Sequence, residues 1–313
     1  MRTTLGIQAL LAAPAQHGSV VSVGVFDGVH LGHRAILEAN VLRSASLGAT
    51  PTVVTFRGHP KALLLGRAPQ TLTSLQHRLK LFERAGIGHA VVLDFDSQLR
   101  AMDAEAFTNE LLLGALSAQA FVLGFDSKFG HDRKGTPEAL SARGLQVEVV
   151  PAVRLGGRAV SSTAIREAVA LGDLAGAARM LGRPVTLQGR VVHGNGRGEG
   201  LGFPTANLDL DHELSPPGGV WATRVRLLDE PEGEPLAAVA NIGHRPTLHG
   251  EPEPGSPPVV EVHILDFHGD LYGRRAAVEF VSFLRAEQRF ASLDLLKSAI
   301  GADIEAARTE LQS

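Results

Sequence analysis

The sequence predicts a doubly wound α/β domain followed by a small antiparallel β-barrel that closes with a C-terminal helix. In the first half, short apolar runs alternate with helical patterns, as in a parallel sheet whose strands are joined by crossover helices. These runs lie at 20–23, 52–56, 89–93, 120–123 and 147–150. From Val185 onward apolar and polar residues alternate with the period of a strand, and no crossover helix intervenes. The expected barrel strands are 185–192, 220–228, 236–240, 259–265 and 276–281.

Two helices of the first half and the final helix can be placed from their patterns. Thr73-Ser74-Leu75-Gln76 predicts a capping box, and the helix that follows carries a stripe of Leu75, Leu79 and Phe82 and ends at Gly86. Another helix is expected over about 104–116. The final helix begins near Ser292, and its apolar stripe comprises Leu293, Leu296, Ile300, Ile304 and Leu311.

Composition limits the classes of function. The chain has 313 residues, which leaves room for two domains, expected at 1–183 and 184–313. Its net charge of −3 argues against a general nucleic-acid binder, which needs a basic surface. No run of about 18 apolar residues is present, so no membrane association is expected. The absence of cysteine removes disulfides, thiolate catalysis and cysteine-ligated metals, and fits a cytoplasmic protein. We expect a monomer or weak homo-oligomer whose partners are small molecules.

A glycine-rich turn follows the first long apolar run of the chain. The segment 24–33 lies between that run and a helical pattern, so it reads as strand, turn and helix start. Backbone N–H groups at such a helix start favour anions, and Gly28 and Gly32 leave room for phosphates near the backbone. His30 and His33 are three residues apart, so on a first helical turn they share one face. The pattern predicts a nucleotide phosphate site with two imidazoles directed at it.

Two other interpretations of His30 and His33 remain open at this point. Two histidines at this spacing could bind a metal, although no third ligand is nearby and the chain has no cysteine. They could also be polar residues at a helix start that have no catalytic task.

Two further segments of the first half carry groups suited to phosphates. The loop 124–130 contains Asp126 and is followed by Arg133 and Lys134, which predicts either an anion-binding loop or a solvated charged turn. In Ser161-Ser162-Thr163-Ala164-Ile165-Arg166, hydroxyl side chains precede a helix with an arginine on its first turn. Such a segment can bind β- and γ-phosphates, and helix capping alone also explains the hydroxyls.

The second half contains a glycine-rich loop and a candidate base. The segment 194–207 has five glycines, as in phosphate-binding loops and in flexible hairpin loops. Thr205 and Asn207 project to one side if the chain is extended, and so offer two neutral oxygen ligands to Mg²⁺. On the strand 259–265, Glu261 and His263 face away from the apolar side chains, which is also how an ordinary solvated barrel face looks.

These segments resemble a known family. His30-Leu31-Gly32-His33 resembles the HxGH signature of the nucleotidyltransferase superfamily, whose members attack the α-phosphate of a nucleoside triphosphate. The longer segment 24–33, together with 161–166, resembles the bacterial bifunctional riboflavin kinase/FAD synthetases (FMN adenylyltransferases). The segment 194–207 resembles the riboflavin kinase signature G-x-x-x-G-x-x-L-G-F-P-T-A-N, and 241–247, 261–273 and 283–290 resemble further segments of that family.

The resemblance implies a Rossmann-like nucleotidyltransferase domain, a riboflavin kinase-like barrel and two reactions. Riboflavin and ATP would give FMN in the second domain, and FMN and ATP would give FAD and pyrophosphate in the first. Mg²⁺ is the implied cofactor, with ATP, riboflavin, FMN and FAD as substrates and products. Catalysis is assigned to His30, His33 and Glu261, and Mg²⁺ to Thr205 and Asn207. The first ATP site is assigned Gly24, Phe26, Asp27, Gly28, Gly32, Asp126, Ser162, Thr163 and Arg166. The second ATP and flavin site is assigned Gly194, Gly198, Gly202, Phe203, Pro204, Asn241, Arg245 and Arg285.

The sequence departs from the family pattern at three positions. Gly58 replaces the first proline of T-F-x-P-H-P, and Ser127 replaces a phenylalanine of G-x-(D/N)-F-x-F-G. Trp221, where the family usually has tyrosine, is expected in the barrel core. Two alternatives follow: an enzyme that retains one activity, most readily the kinase, or a flavin-binding module without catalysis.

Overall fold

The computed structural model describes residues 1–58, 70–194, 200, 202–211, 214–230, 232–243 and 258–312. The chain divides into two compact units, Met1–Ser162 and Thr163–Ser313. The domain boundary at 183/184 expected from the sequence stays a prediction.

The first unit is built on a parallel sheet. Its strands are β1 (Arg2–Leu5), β2 (Ser19–Val23), β3 (Thr50–Phe56), β4 (His89–Leu93), β5 (Ala118–Gly124) and β6 (Val147–Val150). They lie in the order β1-β4-β3-β2-β5-β6, and each neighbouring pair is parallel. A short hairpin of β7 (Arg154–Leu155) and β8 (Arg158–Ala159) follows. The predicted doubly wound sheet is therefore confirmed. The strand order reverses beside β2, so the loops after β2 and β5 meet where such sheets bind ligands.

Helices cover the sheet of the first unit. They are α1 (Ile7–Ala12), α2 (Leu31–Leu47), α3 (Leu75–Arg84), α4 (Ser97–Ala101), α5 (Ala104–Ala106) and α6 (Pro137–Ala142). The helix expected over 104–116 is present, but its main part, Phe107–Ala115, is a π-helix. Two residues of the predicted stripe of α3 are confirmed, since Phe82 is fully buried in a cluster with Leu79 packed against it, while Leu75 is half-buried.

A buried polar residue fixes α2 on the sheet. Asn40 of α2 is fully buried, and its Nδ2 donates to the carbonyl oxygens of Val20 and Thr52 and to Ser22 Oγ, at 3.0, 3.2 and 2.9 Å. These bonds join α2 to β2 and β3. Helix α2 begins directly after residues 24–30, the histidine turn, and therefore has a fixed position relative to the strand ends.

The second unit is a closed antiparallel barrel. Its strands are β9 (Thr186–Val192), β10 (Ala206–Leu210), β11 (Gly219–Leu227), β12 (Leu236–Gly243), β13 (Val259–Ile264) and β14 (Arg275–Arg285). They close in the order β10-β13-β12-β11-β14-β9, with β9 paired to β10. The predicted barrel is confirmed, and Trp221 is 2 % exposed in its core, with Nε1 donating to Pro217 O at 3.2 Å.

The helices of the second unit are α7 (Ser162–Ala170), α8 (Leu174–Leu181) and α9 (Leu293–Gln312). Helix α9 lies against β11, β12 and β14, so its predicted covering role is confirmed. The predicted stripe was wrong in detail, because Leu293 is 65 % exposed while Asp303 and Ala307 are the buried positions. Asp303 is drawn inward by an ion pair with Arg285. Within the described ranges no helix combines the length and the apolar character needed to span a bilayer.

Acid should destabilise the first unit through His89. This residue is buried at the start of β4, where its Nε2 lies 2.9 Å from Thr4 Oγ1, and burial, with a smaller effect of Arg2, lowers its pKa to about 4. The unfolded chain therefore binds a proton on His89 more readily than the folded chain does. The stabilisation is complete above about pH 6.5 and is lost as the pH falls towards 4, by up to about 3 kcal/mol.

This dependence can be measured by urea unfolding followed by circular dichroism at pH 7.5, 5.5 and 4.5. The H89Q variant should lose less stability than the parent between the first and the last pH. An identical loss in the parent and the variant would contradict the assignment to His89.

Two candidate active sites

The turn after β2 has an uncommon backbone that neighbouring groups hold in place. Phe26, Gly28 and Val29 have positive φ angles of 51°, 81° and 40°, a region that glycine enters freely and valine rarely. The buried carboxylate of Asp27 accepts hydrogen bonds from the N–H groups of Leu72 and Thr73, at 2.9 and 3.2 Å. A turn held against its own backbone preference by buried hydrogen bonds is typical of a functional site.

The predicted capping box before α3 was wrong by one residue. Ser74, not Thr73, is the N-cap of α3, and its hydroxyl accepts from His77 N at 3.2 Å. The Thr73 hydroxyl instead accepts from Gly28 N at 3.0 Å. Thr73 therefore belongs to the support of the histidine turn, a function that the sequence analysis missed.

His30 and His33 come together as their spacing predicts. Their rings stack with centroids 3.7 Å apart and an interplanar angle of 17°. His30 is the N-cap of α2, and its Nδ1 accepts from His33 N at 3.3 Å, so the proton of a neutral His30 ring is on Nε2. A Cβ on Gly32 would lie 3.3 Å from the His30 ring, so the glycine gives this ring its space.

His33 is a neutral imidazole in this environment. Burial, the neighbouring His30 and the cation of Arg78 hold the pKa of His33 well below its usual value. Its Nδ1 is buried and has no hydrogen-bond partner within the described part of the chain. The ring also contacts Phe26 edge to face, with centroids 5.2 Å apart. The neutral His33 ring can therefore both donate and accept hydrogen bonds.

The other predicted residues of the first site divide between the two units. In the first unit, Ser162 Oγ donates to Asp27 O at 2.9 Å, so the last residue of this unit contacts the histidine turn. Asp126 is exposed in the turn after β5, where Ser127 N donates to Gly124 O at 3.0 Å, so the departure at Ser127 leaves this turn intact. Thr163 and Arg166 follow on the first turn of α7, in the second unit. Their contact with ATP stays a prediction.

The sequence analysis also missed Arg78. It is 2 % exposed on α3, and its Nη1 donates to Val25 O and Phe56 O. Its spacing from Leu75 and Phe82 places it on the apolar stripe of α3. A charged residue at an apolar position of this stripe is the feature of the sequence that could have identified it.

Glu261 is at the centre of a row of polar side chains on the barrel. Val260 and Val262 are buried in the barrel interior, while Glu261 lies on the opposite face, as its spacing predicts. In the strand register Glu261 pairs with Asn207 of β10 on one side and with Asn241 of β12 on the other. Directly paired side chains in an antiparallel sheet have Cβ atoms about 5 Å apart. The predicted base is thus flanked by two amides.

Asn207 is more buried than a residue on the outer face of a barrel strand usually is. It is 5 % exposed, and a Cβ on Gly194 would lie 2.1 Å from its Nδ2. The glycine therefore lets the start of the glycine-rich loop cover the amide. Thr205 precedes Asn207 by two residues, immediately before β10. The structure describes Gly194, Thr205 and Asn207, while Gly198 lies outside the described residues.

His263 holds the next part of this loop. Its Nδ1 donates to Pro204 O at 2.8 Å, and its ring contacts Phe203 edge to face, with centroids 5.9 Å apart. Gly202 has a φ of 88°, which allows the chain to turn before Phe203. The segment 202–205 is therefore attached to β13, the strand that carries Glu261.

The remaining predicted residues of the barrel site have internal partners or lie outside the described residues. Asn241 Nδ2 lies 3.5 Å from Glu287 Oε1. The guanidinium of Arg285 binds both carboxylate oxygens of Asp303, at 2.8 and 2.7 Å, and lies over the Phe290 ring. This pairing shows a structural role for Arg285, and its contact with ATP or flavin stays a prediction. Arg245 lies outside the described residues.

Comparison with known proteins gives a different family match for each half of the chain. Residues 12–164 match the FAD synthetase family model, and residues 181–311 match the riboflavin kinase family model. A bifunctional riboflavin kinase/FMN adenylyltransferase of Pseudomonas fluorescens is 40 % identical over 94 % of each chain. One of Escherichia coli K12 is 39 % identical over 98 % of this chain and 97 % of its own.

A solved structure has the same fold along nearly the whole chain. It is a Streptococcus pneumoniae crystal structure described as a macrolide-efflux protein, with a TM-score of 0.85 and 32 % identity over 98 % of this chain and 99 % of that one. The two family matches and the two full-length relatives carry the assignment. The chain belongs to the bifunctional riboflavin kinase/FMN adenylyltransferase family and makes FMN from riboflavin and FAD from FMN.

Proposed function

We propose that His30 and His33 act in adenylyl transfer and that Glu261 acts in phosphoryl transfer. The observation that carries the first assignment is the stack of the two imidazoles at the start of α2, in which the pKa of His33 is held well below its usual value. The observation that carries the second is the position of Glu261 between Asn207 and Asn241. The experiments that test the two assignments are substitutions at Glu261 and His30, with both reactions measured on the same protein.

In adenylyl transfer the FMN phosphate attacks the α-phosphorus of ATP and pyrophosphate leaves. Negative charge increases on the α-phosphate oxygens in the transition state. His30 Nδ1 accepts a hydrogen bond from His33 N, so a neutral His30 ring carries its proton on Nε2, and this N–H would donate to such an oxygen. A donor fixed in position before the reaction can contribute about 3 kcal/mol. Asp27 acts here as a positioning residue, because its carboxylate binds the backbone of Leu72 and Thr73.

In phosphoryl transfer the 5′-hydroxyl of riboflavin attacks the γ-phosphorus of ATP and ADP leaves. Glu261 takes the proton of that hydroxyl, and a positioned base contributes a factor of about 10²–10⁴ in rate. The amides of Asn207 and Asn241 flank the carboxylate and can hold its orientation. His263 keeps the segment 202–205 next to the same strand.

The residues of the barrel site fit Mg²⁺. Thr205 and Asn207 offer neutral oxygen atoms, and Gly194 leaves room for the loop to cover the Asn207 amide. Mg²⁺ typically takes few protein ligands and keeps water and substrate phosphates for the rest. When bound, it would supply positive charge to the phosphate oxygens of ATP.

Adding a methyl group at Gly194 should weaken this arrangement. In G194A the new Cβ would overlap the Asn207 amide and displace it. We expect the Mg²⁺ concentration for half-maximal kinase activity to rise about tenfold, as for losses of support around a metal ligand. G301A is the control, because a Cβ on Gly301 meets no atom within 4 Å. A G194A enzyme with the Mg²⁺ dependence of the parent would exclude Asn207 as a ligand.

We further propose that the protein works in the cytoplasm, where its substrate ATP is formed, as a monomer or weak homo-oligomer. Sedimentation velocity over a concentration series measures the second point.

A further inference from the structure

We propose that Arg78 is a positioning residue of the adenylyl-transfer site, which clamps the strand ends that carry the histidine turn and places a fixed positive charge beneath it. The inference rests on the proposed function of His30 and His33. Arg78 touches neither substrate in this account. It acts through the backbone of the turn and through His33.

The clamp is visible in the hydrogen bonds of the guanidinium. Nη1 of Arg78 donates to Val25 O, immediately before the positive-φ residue Phe26, and to Phe56 O at the end of β3, 3.3 Å away. Thr55 Oγ1 donates to the same Val25 oxygen at 3.1 Å. One side chain therefore joins the ends of β2 and β3, from which the turn departs.

The same face of α3 supports the histidine rings. Phe82, one helical turn after Arg78, contacts Phe26 edge to face with centroids 5.6 Å apart, and Phe26 in turn contacts His33. A displacement of α3 would therefore move the His33 ring. Helix α3 thus positions the turn both through Arg78 and through Phe82.

The charge of Arg78 is held in the interior at a cost. The side chain is 2 % exposed, its hydrogen-bond acceptors are uncharged oxygens, and its Nε is buried without a partner in the described residues. Burial lowers the pKa of Arg78, and the nearby Asp27 opposes this shift. A buried cation destabilises the folded state unless hydrogen bonds or an opposite charge compensate for its lost solvation. Sites that bind anions keep such a cation despite this loss of stability.

The charge also acts on the proposed catalytic pair. Arg78 and His30 both lower the pKa of His33, in addition to burial, so a cation at position 78 keeps His33 neutral over a wider range of pH. The anionic triphosphate and FMN phosphate would be attracted by the same charge. Methionine at position 78 would remove both the charge and the hydrogen bonds, whereas lysine would keep the charge. The two substitutions should therefore have different effects on FAD synthesis.

The test compares R78M, R78K and R84M in the full chain. Arg84 is exposed on the same helix, so R84M is the matched control.

In R78M we expect kcat for FAD synthesis from FMN to fall about 100-fold, as for other losses of positioning. The KM for ATP should change less than kcat, and the acid limb of the pH profile should move to higher pH. R78K, which keeps the charge, should recover part of kcat and leave the acid limb in place. Riboflavin phosphorylation by the same molecules should be unchanged.

Parental kcat in R78M would overturn the proposal. Equal losses in R78M and R78K with an unmoved pH profile would also overturn it, because Arg78 would then only fill space. If R78M does not fold, R78K decides: its kcat should lie about tenfold below the parent, and parental kcat would overturn the proposal. An H30A variant distinguishes a failure of the role inferred for Arg78 from a failure of the function proposed for His30 and His33. Parental FAD synthesis in H30A would contradict that proposed function.

Discussion

Replacing Glu261 with glutamine should abolish riboflavin phosphorylation and leave FAD synthesis from supplied FMN unchanged. Glutamine has the shape of glutamate, so the pairing with Asn207 and Asn241 in the strand register can persist. Its amide cannot take the proton of the 5′-hydroxyl. We expect kcat for FMN formation to fall by a factor of about 10²–10⁴. The measurement is separation and quantification of riboflavin, FMN and FAD after incubation with ATP and Mg²⁺.

The control for Glu261 is another glutamate of the same barrel. Glu279 on β14 is partly exposed and forms an ion pair with Arg226 at 3.6 Å, and it has no place in the proposed site. E279Q should phosphorylate riboflavin at the rate of the parent. A parental rate in E261Q would show that Glu261 is not the base, and the polar face of β13 would then be an ordinary solvated face.

Replacing His30 with alanine should have the opposite pattern, with loss of FAD synthesis and intact kinase activity. The substitution removes the Nε2–H donor, the acceptor for His33 N and the ring stacked on His33. Loss of one donor to a developing oxyanion typically reduces kcat by about 10²–10³. The assay supplies FMN and ATP and measures FAD and pyrophosphate.

H17A is the control for His30, since His17 is an exposed histidine of the same unit. It should make FAD at the rate of the parent. Both reactions are measured on each variant, so a protein that is merely unstable would show losses in both. Undiminished FAD synthesis in H30A would show that His30 is a polar N-cap residue without a catalytic role.

The sheet and the barrel could be predicted because their buried strands are distinct in the sequence. Strand β2 is entirely buried and reads as an apolar run, and β13 alternates between buried and partly exposed residues. Besides the two short strands of the β7–β8 hairpin, one strand of the sheet and one strand of the barrel were missed, for the opposite reason. In β1 three of four residues are exposed, and β10 contains Asn207 and Asp209 and follows a glycine-rich loop. These strands are specified by pairing with their neighbours.

The candidate sites could be predicted in part. The spacing of His30 and His33 is local, so their stacking follows from the helix that carries them. The partners of Asp27 and Arg78 are distant in the chain: Asp27 binds backbone 45 residues away, and Arg78 binds Val25 from 53 residues away. Such contacts depend on how α3 packs under the turn. For the same reason the hydrogen bonds of the Asp27 carboxylate with the backbone of Leu72 and Thr73 could not be predicted, while its place in the ATP site stays a prediction.

We propose that one chain holds two separate ATP sites, one using Glu261 and the other using His30 and His33. This proposal is tested most directly by mixing E261Q and H30A proteins and supplying riboflavin, ATP and Mg²⁺. E261Q alone should leave riboflavin unchanged, and H30A alone should stop at FMN. The mixture should form FAD, because FMN released by H30A is a substrate for E261Q. FAD formation by either variant alone at the parental rate, or a mixture that accumulates FMN without FAD, would contradict the claim.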